Sequence, residues 1–280
     1  MDTIILSVIV VGITGMVLGA FIAVAAKKFA VELDPRIDEV AGMLPGANCG
    51  GCGFAGCSDL AKNIVEGKAP AGRCPVCAAE TVEKIAAYLG QAAEKKEKMV
   101  AVVLCSGTLS NSKMAAGYNG VLDCRSANLL NGGGKACRFG CIGFGTCART
   151  CKFGAIEVID GLAVVHPELC VGCGQCAEIC PRKMIKLVPA AAPVHVYCNS
   201  LEKPVLRRKK CAGACISCRK CVKAEPEKMS SQGFMVRVNY SNAPDASIVE
   251  KAQCPAKCLL TPEEHLKAVR DGIKKNEGAA

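Results

Sequence analysis

Tryptophan is absent from the 280 residues, and aromatic side chains of every kind make up only 4%. So thin a supply argues against a base-stacking platform for single-stranded nucleic acid. Histidine is scarce too: His166, His195 and His265 are the only three, and none stands in a cysteine-rich ligand pattern. Haem and Rieske ligation, which draw on imidazole, are therefore not expected, and the three are read as surface or strand residues. Nucleotide signatures are also wanting. Gly51-x-Gly53-x-x-Gly56 matches the dinucleotide fingerprint in letters alone, because no strand precedes it and a cysteine lies inside it. The Gly-rich run at 132–135 ends in lysine but lacks the P-loop spacing and its Ser or Thr. No flavin or nicotinamide site is expected in this chain.

Cysteine is what the chain has in excess, with 22 residues. Dense cysteine means either disulfides or metal ligation. Repeated C-x2-C spacings are too tight for independent bridges, so metal is the reading. Acidic residues are outnumbered 25 to 35, which gives a formal charge of +10. A basic excess ordinarily suggests nucleic acid or anionic lipid. Four [4Fe-4S] clusters, each near −2 with its thiolates, would lower the balance to about +2. With so few aromatics, nucleic acid is not expected as a partner.

From Ile4 to Ala26 no residue is charged. That run is long enough to cross a hydrocarbon core of about 30 Å. A cleaved signal peptide would want basic residues before it, whereas Lys27 and Lys28 follow it. The positive-inside rule then places everything beyond Lys27 on the cytoplasmic side of a cytoplasmic membrane, as a single-pass protein. Gly15 and Gly19 form a G-x-x-x-G pair through which another helix could approach.

Three cysteine islands follow. Cys49, Cys52, Cys57 and Cys74 sit at C-x2-C-x4-C-x16-C among Gly50, Gly51, Gly53 and Gly56. Bare glycine backbone lets N–H groups approach cluster sulfur. Ser58-Asp59 is expected to cap the helix that carries the chain round to Cys74. Cys170, Cys173, Cys176 and Cys180 follow C-x2-C-x2-C-x3-C-P, the pattern of bacterial two-cluster ferredoxins. There, three cysteines hold one cluster and the fourth crosses to the other. A zinc site would want two pairs split by a longer spacer. Cys137, Cys141, Cys147 and Cys151 form the partner half, with Lys152 replacing the proline. The crossing rule puts Cys137, Cys141, Cys147 and Cys180 on one cluster, and Cys151, Cys170, Cys173 and Cys176 on the other. Cys105 and Cys124 also stand upstream and leave the place of Cys137 open.

The chain repeats itself. Lys135–Cys151 aligns with Lys209–Glu225, matching Cys137 to Cys211, Cys141 to Cys215 and Cys147 to Cys221. Upstream, Cys105 matches Cys198; Phe144 takes the place of Cys218, and Glu225 that of Cys151. The second copy therefore offers one cluster, on Cys215, Cys218, Cys221 and Cys254. About four [4Fe-4S] clusters are expected in all. Cys198, Cys211 and Cys258, mirrored by Cys105 and Cys124, could build an extra one. Lys203, Arg207, Arg208, Lys209 and Lys210 form a basic run beside Cys211. It is read as a candidate docking surface for an acidic ferredoxin. The tail from Thr261 opens on a capping box and reads as a surface helix.

Taken together, the uncharged span, the "CGGCGFAGC" island with distant Cys74, and the "CIGFG" and "YCNS" segments resemble the B subunit of the Rnf complex, of the longer anaerobe type. That family is a membrane-bound, ion-translocating ferredoxin:NAD oxidoreductase. The resemblance implies an electron-carrying subunit of a translocase-type enzyme. It would exchange electrons with ferredoxin and relay them to partner subunits for NAD reduction coupled to Na+ or H+ transport. Partners would be the other subunits, ferredoxin and membrane lipid. The alternatives are a subunit of another membrane redox complex, or a zinc-loaded binding module. The expected fold is α+β: a single transmembrane helix, a small four-cysteine iron–sulfur domain, then tandem bacterial ferredoxin-like modules. The expected boundaries are 1–28 for the anchor, 32–90 for the four-cysteine domain and 91–99 for a linker. A two-cluster module at 100–192, a degenerate module at 193–260 and a C-terminal helix and tail at 261–280 follow.

Overall fold

The computed structural model describes residues 2–28, 34–92 and 97–277, so part of the expected linker lies outside the described residues. Helix α1 (Asp2–Lys28) is apolar all round. Within Ile4–Lys28 the most apolar window of 18 residues has a mean hydropathy of 2.6, and it is covered by nothing else among the described residues. A helix of that length and character is stable in lipid or against another apolar helix.

The four-cysteine region is helical. Asp34 accepts from the Arg36 N–H at 2.9 Å, opening α2 (Arg36–Met43). Helix α3 (Cys57–Val65) starts two residues earlier than the Ser58-Asp59 cap implies. Asn48, nine residues upstream, accepts from the Cys57 N–H at 2.8 Å, and Asp59 instead accepts from Ala55. A capping acceptor drawn from a distant loop leaves no local signature. Helix α4 (Ala79–Leu89) ends at Gly90, whose φ of 66 supplies the left-handed cap. Val40, Leu60, Ile64 and Ile85 form the core among these helices.

Two copies of one plan follow. In the first, β1 (Met99–Val103) leads through α5 (Cys124–Leu129) and α6 (Thr146–Thr150) to a hairpin of β2 (Ile156–Ile159) and β3 (Leu162–Val165). Helix α7 (Gln175–Ile179) and β4 (Ile185–Pro189) complete it, with β4 antiparallel to β1 from Met99↔Pro189 to Val103↔Ile185. The second copy runs β5 (His195–Val196), α8 (Pro204–Lys210), α9 (Lys220–Ala224), then a hairpin of β6 (Met229–Gln232) and β7 (Met235–Val238). Helix α10 (Ile248–Ala252) and β8 (Leu259–Leu260) end it, and β8 pairs antiparallel with β5. Among the described residues every sheet has two strands, too few to stand alone in water. Each first strand is instead buried in its module's core, as Val100 to Val103 and Val196 show.

Helix α11 (Pro262–Glu277) opens on reciprocal bonds: Thr261 N–H to Glu264 Oε2 at 2.9 Å, and Glu264 N–H to Thr261 Oγ1 at 3.2 Å. It is not purely a surface helix. His265 and Val269 are buried, with the His265 ring stacked on Tyr197 at 3.6 Å. His265 Nε2 donates to the Cys105 carbonyl at 3.0 Å. His195 is buried as well, its Nδ1 3.1 Å from the Tyr240 hydroxyl. So two of the three histidines are core residues.

Burial, with His265 nearby, holds His195 down to about 4. An unfolded histidine takes up its proton near pH ~6.5. As pH falls below that value the unfolded chain binds more protons and stability drops, until the folded ring titrates too. The loss across that window is on the order of 3 kcal/mol. His195→Phe is expected to flatten the fall in melting temperature through this acid range. Parallel pH slopes for the two proteins would contradict it.

Candidate metal centres

The first island wraps one end of the helical region. Cys74 has Cys49 and Cys52 as its thiol neighbours, while Cys77 lies beside Cys74 and Cys57. Arg73 Nε holds the island's loop by donating to the Cys52 carbonyl at 3.0 Å. Gly51 faces the next island directly: a Cβ there would come within 2.7 Å of the Cys173 carbonyl oxygen. Lys152 ties the same junction by donating to the Asn48 carbonyl at 2.9 Å.

Cys176 has Cys170, Cys173 and Cys151 as thiol neighbours, which joins α7 to the residue ending α6. The Ala101 N–H donates to Cys170 Sγ at 3.3 Å from β1. These four residues are the set expected from the crossing rule.

The third group differs from its expected membership. Cys141, Cys147 and Cys180 line one cavity, and its other cysteine is Cys124. Cys137 stands on a second cavity, with Cys105, Cys198 and Cys211, and Cys141 lines both. The local cause is visible. Asp123 caps α5 by accepting from the Arg125 and Ser126 N–H groups, so Cys124 is the helix's first residue. Thr146 then accepts from the Cys124 N–H at 2.8 Å and donates to Asp123 at 2.9 Å, pinning that helix start against α6. Phe144 holds the repeat position where the second copy has Cys218, so this site lacks a triplet cysteine that Cys124 can replace. That gap was the available sequence signal.

In the second module, Cys215, Cys218, Cys221, Cys254 and Cys258 line one cavity. The Cys258 thiol lies between Cys215 and Cys254, 3.7 Å from the latter's sulfur. Sharing its proton with both raises Cys258 and lowers Cys254 to about 5. Four residues past Cys180 stands Met184, a buried core residue; four past Cys254 stands Cys258. Cys258 thus holds a packing position. Glu225 pairs with Lys228 at 3.5 Å and Lys251 at 3.4 Å.

The donor set suits iron–sulfur cubes. Burial, reinforced by neighbouring thiols, pushes Cys147 and Cys176 up to about 12. Thiolates at such positions need positive charge within the site, which bound iron supplies. Among the described residues no three Cys, His, Asp or Glu side chains converge on a point for a single ion. A cube holds its thiolates farther apart than one tetrahedral ion does.

Cysteine-ringed cavities on tandem ferredoxin-type modules, behind an apolar helix, define a membrane-associated iron–sulfur electron-transfer protein. The Fe-S cluster family model matches residues 44–76, and the 4Fe-4S binding domain model matches residues 163–186. The chain is 37% identical to the B subunit of the proton-translocating ferredoxin:NAD(+) oxidoreductase complex of Clostridium ljungdahlii, over 100% of this chain and 99% of the relative. It is 43% identical to the B subunit of the ion-translocating oxidoreductase complex of Methanosarcina acetivorans, over 79% of this chain and 84% of the relative. With the B subunit of the Na(+)-translocating ferredoxin:NAD(+) oxidoreductase complex of Acetobacterium woodii, identity is 40% over 77% of this chain and 65% of the relative. The chain belongs to the family of Rnf-complex B subunits.

Proposed function

We propose that this chain carries electrons between ferredoxin and the other subunits of a membrane complex that reduces NAD and moves Na+ or H+. The observation that supports it most is the contiguity of the cysteine sites. Gly51 of the first island packs on Cys173 of the second, and Cys147 of the third site neighbours both Cys180 and Cys176. A [4Fe-4S] cube supplies one-electron transfer at each site when bound. The ligand sets are Cys49, Cys52, Cys57 and Cys74; Cys151, Cys170, Cys173 and Cys176; Cys124, Cys141, Cys147 and Cys180; and Cys215, Cys218, Cys221 and Cys254. The protein's part is to bury or half-bury all of these cysteines but Cys218, to hydrogen-bond sulfurs from backbone N–H groups, and to keep neighbouring sites in contact. The islands face the cytoplasm, as Lys27 and Lys28 after the span imply.

Purified with its helix, the chain should be brown, and reduced ferredoxin should bleach its visible absorption. A colourless, zinc-loaded protein would end this reading. Protease added to intact cells should leave the islands uncut; cleavage there without lysis would reverse the orientation.

Ferredoxin enters, on this reading, at the second module. Cys218 is the exposed cysteine of its site, and Arg208, Lys209, Arg219, Lys220 and Lys223 are exposed around it in sequence. Arg207, part of the basic run read from sequence, takes no part in any docking surface. It is 1% exposed and donates to the Glu202 and Phe234 carbonyls and to Ser217 Oγ. Reversing Arg208 and Lys209 to Glu should slow reduction by an acidic ferredoxin on the order of 10-fold at low salt. The effect should fade as the Debye length shrinks from about 10 Å at 0.1 M. Equal rates across a salt series would remove the idea.

A further inference from the structure

We propose that Cys105, Cys137, Cys198 and Cys211 hold an additional [4Fe-4S] cluster at the seam between the two ferredoxin modules, each module giving two thiolates. The four line one cavity together with Cys141, as the cysteines of the neighbouring sites line theirs. They are two pairs of repeat equivalents. Cys105 corresponds to Cys198 and Cys137 to Cys211, so the duplication itself supplies both halves of the cage. The seam is built from backbone. Cys105 bridges Cys198 and Ser112 bridges Cys211, both antiparallel. The Ala212 N–H donates to the Asn111 carbonyl at 2.7 Å, and the Lys113 N–H to the Lys210 carbonyl at 2.8 Å.

Hydrogen bonds to sulfur repeat across the seam as well. Cys105 Sγ accepts from the Gly107 N–H at 3.2 Å and the Cys141 N–H at 3.4 Å. Cys198 accepts from the Ser200 and Cys215 N–H groups, the same offset and the same repeat partner. Such bonds stabilise a cluster thiolate. The space among the sulfurs is kept clear. A Cβ on Gly107 would stand 3.3 Å from Cys105 Sγ and 3.8 Å from Cys211 Sγ; one on Gly140 would stand 3.4 Å from Cys137 Sγ and 3.5 Å from Cys105 Sγ.

Charge provides an independent argument. Lys135 and Arg207 both line this cavity and are 5% and 1% exposed. Lys135 Nζ donates to the Gly107 carbonyl at 2.8 Å and the Gly161 carbonyl at 2.6 Å. Among the described residues, Arg207 donates to two carbonyls and a hydroxyl. Two buried cations with neutral partners are costly. A cube with four thiolates, carrying about −2 in its oxidised state, is the counter-ion that offsets them. The site also touches its neighbours on both sides, through Cys141 and Cys215, and so joins the two modules' centres into one file.

This inference rests on the reading that the neighbouring cavities hold cubes, and native mass measurement of the intact, membrane-extracted chain separates the two. Five cubes, about 20 irons per chain, are expected. Cys105→Ala and Cys198→Ala should each remove one cube, and the double variant should remove one, not two, since both belong to one site. Four cubes in the wild type, unchanged in the variants, would overturn the seam cluster while leaving the neighbouring assignments standing. A lone zinc or iron ion at the seam would overturn it equally. A chain with no iron defeats the underlying reading and this inference together. Should a variant fold poorly and shed every cube, the wild-type count still decides.

Discussion

Replacing Gly143 by alanine should cost the protein about four irons per chain and about 10 °C in melting temperature. Gly143 follows Cys141 and Ile142 with a φ of 98, where a side chain is strained. A Cβ there would fall 2.2 Å from the Gly161 carbonyl oxygen and 2.8 Å from its carbonyl carbon. That carbonyl cannot retreat. The turn before it is held by the Leu109 N–H donating to Asp160 at 2.7 Å, and Lys135 Nζ grips the Gly161 oxygen itself at 2.6 Å. Relief must come from the loop carrying Cys141, whose sulfur accepts from the Gly143 N–H. Strain and displaced ligand together are expected to cost on the order of 3 kcal/mol. Gly233 makes the control, since its φ is 58 but nothing lies within 4 Å of its Cβ position. Gly233→Ala should cost only about 1 kcal/mol and no iron. A Gly143→Ala protein that keeps all its iron and melts within a degree or two of wild type would refute the account.

Cys124→Ala should also remove about four irons, although ferredoxin spacing alone would leave that residue spare. The cavity it shares with Cys141, Cys147 and Cys180 makes the test one of grouping. If Cys124 and Cys180 serve one site, the Cys124→Ala/Cys180→Ala double variant loses no more than either single change. Cys137→Ala combined with Cys180→Ala should lose about eight, because the two residues stand on different cavities. The opposite pattern, additive for Cys124 and non-additive for Cys137, would restore the assignment read from spacing.

The contrast shows what spacing can carry. A C-x2-C-x2-C run writes its geometry locally, so the group around Cys176 was legible from letters alone. The duplicated strand–helix–hairpin plan was legible too, because both copies keep the same order of β-type runs and cysteine islands. Cys124 was legible only as an open alternative to Cys137, since its place depends on Thr146, 22 residues away, holding the start of α5. Arg207 looked solvated amid four other cations, yet one face of α8 turns inward and finds the Phe234 carbonyl 27 residues on. His265 sits on a helix that is polar by composition, and only the packed fold shows Tyr197 lying flat against it. Letters raised an extra cluster on Cys198, Cys211 and Cys258, mirrored by Cys105 and Cys124, whereas the fold groups Cys198 and Cys211 with Cys105 and Cys137 on one cavity.

The closing strand of each module has a consequence for the order of manufacture. Strand β1 finds its partner only when β4 exists, since Met99 pairs with Pro189, and β5 waits likewise for β8. A nascent chain emerges amino end first, and domains generally fold as units as they emerge. The first island, from Cys49 to Cys74, is enclosed by its own short helices and can mature while the rest is still being translated. The ferredoxin cores cannot: late contacts between distant residues close them, and such closures are slow. Until Pro189 leaves the ribosome, the cysteines of the first module stand open to oxidants and stray metals. Assembly of this chain is therefore expected to begin at the first island, with the ferredoxin sites filled only after their closing strands are made.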